Sequence, residues 1–126
     1  AAAACFALGF AIEALADFQR SAFMAAHHGT RTFCAVGLWR LSRHPNYFGE
    51  LLMWSALCAL ALPALRASRE EAPLQGRLRQ LVALLSPAFL SYLLLCVSGV
   101  PLAEARADAR FGSDPGYLAY RARTPE

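Results

Sequence analysis

The stretch Gly37-Leu-Trp-Arg-Leu-Ser-Arg-His-Pro-Asn-Tyr-Phe-Gly-Glu50 sets Arg40, Arg43 and His44 just before a proline, and Asn46, Tyr47 and Glu50 just after it. Guanidinium forks match phosphate oxygens, and a helix N-terminus adds free N–H groups and partial positive charge. Pro45 suits the first turn of a helix, where its missing N–H would be unpaired anyway. The chemistry this pattern supports is anion binding at a helix start. The same groups would also serve as a positive anchor against lipid head groups. Spacing alone leaves both readings open.

Asn46 and Glu50 stand at i, i+4 on the opening turns of that helix. A carboxylate so close to an apolar run is costly unless paired or hydrogen-bonded. Three roles suit Glu50: a ligand contact, a partner that orients a nearby arginine, or an interhelical ion pair with a residue such as Arg20. Glu104, Tyr117, Tyr120, Arg121 and Arg123 make a second polar group near the C-terminus. Tyrosines in such a place suit a membrane interface. Glu13, Asp17 and Arg20 follow at i, i+4, i+7 and share one helical face, solvated or mutually paired.

Other chemistries lack their signatures. No G-x-G-x-x-G, phosphate-binding G-x-x-x-x-G-K-[ST] or G-x-S-x-G element occurs. His27, His28 and His44 show no ligand spacing with a cysteine, so no metal site is expected. Cys5, Cys34, Cys58 and Cys96 are scattered without a C-x-x-C pair and read as reduced packing residues.

Apolar helices must position these groups. Of the 126 residues, 57% are hydrophobic, and the mean hydropathy of +0.36 leans towards the bilayer. The net charge of +3, all of its basic side chains arginine, is too small to argue for nucleic acid. Residues 1–24 read as one helix, broken by His27-His28-Gly29. The segment between Asp17 and Glu50 is free of acid and carries Arg20, Arg31, Arg40 and Arg43, which places it on the cytoplasmic side. Tyr47 to Leu65 reads as a transmembrane helix that Pro63 closes, and Leu81 to Val100 as another, with Pro87 inside it. Residues 66–80, of mixed charge and holding Pro73 and Gly76, read as a solvated loop. Pro101 opens a further helix, and Asp114 caps a last short one. The expected fold is all-α, with polytopic transmembrane helices and amphipathic cytoplasmic ends. The chain opens inside an apolar run without methionine, so a fragment of a longer protein is expected.

The 37–50 stretch closely resembles the core motif of the steroid 5-alpha-reductase C-terminal domain family. Glu13-x-x-x-Asp17-x-Gln19-Arg20-x-x-Phe23 resembles its upstream acidic–glutamine segment. Ser86-Pro87 and Val97-Ser-Gly-Val-Pro-Leu-x-Glu104 resemble its last span and the following bend. Asp114-Pro-x-Tyr117-x-x-Tyr120-x-x-Arg123-Thr124 resembles its C-terminal motif. The likeness implies that residues 1–126 are the cofactor-binding half of an integral membrane reductase. NADPH would reduce a C=C bond of a lipid or sterol-like substrate, in the endoplasmic reticulum if the cell is eukaryotic. It implies cofactor contacts at Asn46 and Tyr47 with Glu50 beside them, at Trp39, Arg43 and His44 in the same motif, and at Tyr117 and Tyr120 over the nucleotide. Asp17 and Arg20 would lie towards the phosphates, and Glu104 belongs to the same set. The residues that act on substrate in steroid reductases lie in an N-terminal half outside this chain, so the likeness names no proton donor. The isoprenylcysteine carboxyl methyltransferases share Arg-His-Pro-x-Tyr-x-Gly and Tyr-x-x-Tyr but bind S-adenosylmethionine. Asn46 with Phe48-Gly49-Glu50, and Ser98-Gly-Val-Pro101, favour the reductase branch. A non-catalytic membrane module is the third reading.

Overall fold

The alanine- and leucine-rich opening contains no proline and a single glycine, and it folds as α1 (Ala2–Ala26). These residues lose little side-chain entropy in a helix. At 1.5 Å per residue α1 is about 37 Å long, enough to cross hydrocarbon. It stops at His27, whose backbone N–H and ring Nδ1 both reach the Phe23 carbonyl, at 3.1 and 2.8 Å. The computed structural model describes residues 1–67 and 72–126, and no strand occurs among them.

Pro45 opens α2 (Pro45–Glu71). Pro63 does not close it; the apolar span runs Pro45–Ala67. A proline inside a helix removes one intrahelical bond, and the apolar residues on either side of it keep α2 continuous. The loop expected over 66–80 is also corrected. Residues 68–71 of it lie outside the described residues, but α3 (Pro73–Tyr92) begins at its proline and buries Gly76. Proline at a first helical position starts a helix rather than breaking one. Pro87 lies inside α3, a π-helical turn at Leu93–Val97 follows, and Pro101 sits in the first turn of α4 (Val100–Phe111). Asp114 caps α5 (Pro115–Arg123) by accepting the Gly116 N–H at 2.7 Å.

Helix α2 packs against both α1 and α3. The α1–α2 crossing is a close one, made at Gly9 and Gly49. A methyl group at Gly49 would stand 2.6 Å from the Gly9 carbonyl oxygen, and one at Gly9 would stand 2.7 Å from that of Gly49. Small residues let membrane helices approach in this way, and Ala16 and Ala56 are buried as well. Large side chains point outwards, among them Phe10, Phe18, Val82 and Phe89. Three helices, Ala2–Ala26, Pro45–Ala67 and Pro73–Phe111, are long and apolar enough to cross a membrane. Their exposed apolar faces fit a lipid bilayer, as the all-α polytopic expectation requires.

The end of α1, the start of α2, α4 and α5 meet at one end of the molecule. The extended connector before α2 crosses there and plants Phe33 against Phe111, Tyr117 and Tyr120, with ring centroids 5.9, 5.5 and 5.4 Å away. Helices α4 and α5 are amphipathic: they bury Phe111, Tyr117 and Tyr120 and expose Arg106, Arg110 and Arg123.

Candidate functional site

The site is built around a 3₁₀ turn, Gly37–Arg40. Gly37 has φ +56°, a left-handed conformation that favours glycine. The Leu38 N–H donates to Gln19 Oε1 at 2.8 Å, which ties the turn to α1. Trp39 is buried and held at both ends. Its indole Nε1 donates to the Ala16 carbonyl at 2.9 Å, and its own carbonyl accepts the Tyr120 hydroxyl at 2.6 Å. The Arg20 guanidinium lies over the indole ring, 5.1 Å from its centroid.

A charged cluster follows the turn. His44 N–H donates to Ser42 Oγ at 3.1 Å, and Arg43 N–H to the Pro125 carbonyl at 2.8 Å. Glu104 on α4 receives both the Arg43 and the His44 side chains. Arg43 Nη1 bonds its Oε2, and His44 Nε2 lies 2.7 Å from its Oε1. Arg43 Nη2 reaches Glu126 at 2.9 Å. Arg121 pairs with Asp108 at 3.0 Å, and Tyr117 donates its hydroxyl to the same carboxylate, also at 3.0 Å. The side chains of Arg43, His44 and Glu104 are only 10%, 9% and 13% exposed, so the charges of Arg43 and Glu104 interact with little solvent screening. The His44 and Tyr47 rings stack at 5.4 Å and 6°.

Burial, first of all, pushes the Tyr117 and Tyr120 phenols up to about 12. The hydrogen bond to Asp108 adds to the rise at Tyr117, and the neighbouring Cys34 thiol adds to it at Tyr120. Both hydroxyls therefore keep their protons at neutral pH and act as donors. Burial also raises the Cys34 thiol, so it is a packing group rather than a nucleophile.

A cleft with about 140 Å³ of open space lies between these elements. Nine of the eleven residues singled out in the sequence line it: Arg20, Trp39, Arg43, His44, Asn46, Tyr47, Glu104, Tyr117 and Tyr120. Asp17 and Glu50 do not. Asp17 is exposed on α1, and Glu50 acts electrostatically on Glu13 across the α1–α2 crossing. Arg20 forms no ion pair with Glu50 among the described residues. The carboxylate that orients an arginine is Glu104, not Glu50. Arg40 is exposed and lies outside the cleft, so the basic group of the motif is split. Arg43 Nε is buried without a hydrogen-bond partner, which leaves one donor of a cleft residue unused.

Sequence reasoning missed Phe33, Phe111 and Arg110, which also line the cleft. Phe33 lies between the helix break at His27-His28-Gly29 and Gly37, where a lone aromatic is the available signal. Arg110 closes an amphipathic helix and looks like ordinary surface charge. Its guanidinium lies 5.2 Å over the Phe111 ring and forms no ion pair among the described residues.

Chemically, the cleft offers two arginines, Arg20 and Arg110, without acidic partners among the described residues, aromatic walls, and an inner cluster in which Glu104 already pairs with Arg43. That combination suits an anionic ligand with a flat ring system. No cluster of histidine, cysteine, aspartate or glutamate able to hold a metal occurs among the described residues. Comparison with curated proteins and with solved structures gave no match. The family described as Protein of unknown function (DUF1295) matches residues 1–124, nearly the whole chain, and the chain belongs to that family.

Proposed function

We propose that this chain is the cofactor-holding part of a membrane reductase of the steroid 5-alpha-reductase kind, using NADPH to reduce a C=C bond of a lipid or sterol-like substrate. The observation that carries the reading is the convergence of the motif residues on one cleft at the end of apolar helices. Residues from four separate stretches of sequence meet there, and each stretch contributes to the resemblance.

The residues fit such a cofactor. Arg20 and Arg110 offer guanidinium forks for phosphate oxygens, and the buried Arg43 Nε is a donor without a partner. Trp39, Phe33 and Tyr47 offer flat surfaces, and Asn46 offers an amide. NADPH would supply a hydride when bound. The chain's own part is to bind and to orient. Tyr120 fixes the Trp39 carbonyl, Glu104 fixes Arg43 and His44, and Phe33 packs against the buried Phe111, Tyr117 and Tyr120 in the cleft wall. The three helices long and apolar enough to cross a bilayer support a substrate that would come from lipid.

The test is calorimetry on the full-length protein in detergent, with NADPH and S-adenosylmethionine titrated separately. NADPH is expected to bind in preference. Preferential binding of S-adenosylmethionine would move the protein to the methyltransferase reading, and binding of neither by folded protein would favour a non-catalytic module. Asn46→Ala is expected to weaken NADPH binding about tenfold while the protein stays folded, as the loss of one good hydrogen-bonding group would.

A further inference from the structure

A second cleft, of about 450 Å³, opens beside the first. The two share Met24 and Arg110, and His27, His28, Thr30 and Arg31 complete the wall of the second. No carboxylate lines it. A pocket with two guanidiniums, two imidazoles and no acid has one evident ligand chemistry, that of an anion.

The bland alternative is that these groups only cap helix ends. Two helix C-termini, of α1 and α4, converge here, and exposed carbonyls would repel an anion. Three carbonyls there are already occupied. The Phe23 carbonyl accepts from both the N–H and Nδ1 of His27, at 3.1 and 2.8 Å. The His27 carbonyl accepts from the N–H and hydroxyl of Thr30, at 3.1 and 2.7 Å. The Arg110 carbonyl accepts from Arg31 Nε at 2.8 Å and from its Nη2. Capping therefore uses part of Arg31 and leaves its Nη1 unspent. It uses nothing of the Arg110 side chain, which only stacks on Phe111. It uses nothing of His28 either. The His27 ring is fixed in place by its stack on Phe23, 4.1 Å between centroids. Capping accounts for those three carbonyls and leaves the Arg110 and His28 side chains without an ion-pair partner among the described residues.

We infer that this cleft binds a phosphate monoester dianion, drawn either from the head group of a phosphatidate-type lipid or from a soluble nucleotide. Two full positive charges, on Arg31 and Arg110, match a dianion better than the single charge of a phosphodiester. The cleft lies where the apolar helix α1 ends, and His27, His28, Thr30 and Arg31 are exposed to solvent. Arg110 borders both clefts, whereas His28 and Arg31 border only this one and distinguish it from the first.

Thermal unfolding of the full-length protein in non-ionic detergent tests it, at constant ionic strength. The probes are inorganic phosphate, dihexanoylphosphatidate against dihexanoylphosphatidylcholine, and adenosine 2′-monophosphate against adenosine. The monoester of each pair is expected to raise the unfolding temperature saturably, and its counterpart is not. A rise confined to the phosphatidate assigns the lipid source, and one confined to the nucleotide assigns the soluble source. His28→Ala and Arg110→Gln are each expected to weaken the monoester about tenfold, as the loss of one charge-assisted hydrogen bond would. His28 lines the second cleft and not the first, so its variant separates the two. No response to any monoester would overturn the inference, as would unchanged affinity in His28→Ala.

Discussion

His44 Nε2 and Glu104 Oε1 lie 2.7 Å apart and join the start of α2 to the first turns of α4 across sixty residues of sequence. The other oxygen of the same carboxylate takes Arg43. One nearly buried acid thus holds two consecutive residues of the motif, and it does so with both of its oxygens. Glu104→Ala leaves Arg43 and His44 without that partner in a poorly solvated place. A loss of about 3 kcal/mol is expected, in the range for breaking a buried pair. Denaturant unfolding in detergent measures it. Arg43→Ala added to Glu104→Ala should cost much less than it does alone, because residues in one network do not add. Additive costs would show that the two side chains act separately.

That link also marks the limit of what could be read from sequence. The helix starts at Pro45, Pro101 and Pro115 were legible, because proline and the Asp114 cap act locally. The apolar spans were legible from length. The partner of Arg43 was not, since both Glu50 and Glu104 are acids at helix starts and only packing tells them apart. The start of α3 was misjudged for the opposite reason. Pro73 and Gly76 are breakers by composition, yet Pro73 stands where a helix begins and Gly76 is buried within it. Arg110 escaped notice because a cation at a helix C-terminus already has an ordinary explanation in the helix dipole.

Alkaline pH should loosen the site through Tyr117 and Tyr120. Each phenol sits at about 12 in the fold against an ordinary value of 10. A group whose folded value is raised contributes stability that is whole below the unfolded value and is lost as pH rises through the folded one. Unfolding temperature is therefore expected to fall between pH 10 and pH 12. The double variant Tyr117→Phe, Tyr120→Phe should show a shallower fall across the same window, starting from lower stability. An equally steep fall in that variant would assign the alkaline loss to other groups.

Tyr120→Phe has a consequence at neutral pH too. It removes the donor to the Trp39 carbonyl, a buried bond of 2.6 Å, and leaves that carbonyl without it. The expected cost is about 1–2 kcal/mol, the price of one unsatisfied buried acceptor. If the first cleft holds NADPH, the same variant should weaken it, because Trp39 forms part of the wall. Stability measured by denaturant and affinity measured by calorimetry should fall together. A stability loss with unchanged affinity would confine Tyr120 to a structural part.

The Gly9–Gly49 crossing predicts a steric failure. Gly49→Ala places a methyl 2.6 Å from the Gly9 carbonyl oxygen and 2.8 Å from the Glu13 backbone nitrogen. Both neighbours are backbone and cannot turn aside, so α1 and α2 must separate. Overpacking of this kind costs about 1–3 kcal/mol. The separation would also pull Ala16 from Trp39 and so disturb the cleft. Thermal unfolding in detergent should show the loss, and a neutral Gly49→Ala would mean that the two helices do not cross there.

Gly37 and Gln19 make the sharpest test of how α1 supports the motif. Gly37 has φ +56°, where alanine costs about 1 kcal/mol by backbone sterics alone. A methyl group there would also fall on the Gln19 side-chain amide. That amide cannot swing away freely, because its oxygen accepts the Leu38 N–H at 2.8 Å. Gly37→Ala therefore carries two penalties, one from φ and one from the lost space or the lost bond. Gln19→Ala carries one, about 1 kcal/mol for the hydrogen bond. In the double variant the shortened side chain makes room for the new methyl, so only the φ cost and the single lost bond remain. The summed single losses should exceed the loss in the double variant by about 1 kcal/mol, the size of coupling that contacting residues show. Unfolding of the four proteins in the same detergent gives the cycle. Strict additivity would mean that the Gln19 amide does not pack on Gly37, and that the turn carrying Trp39 takes its position from Ala16 and Tyr120 alone.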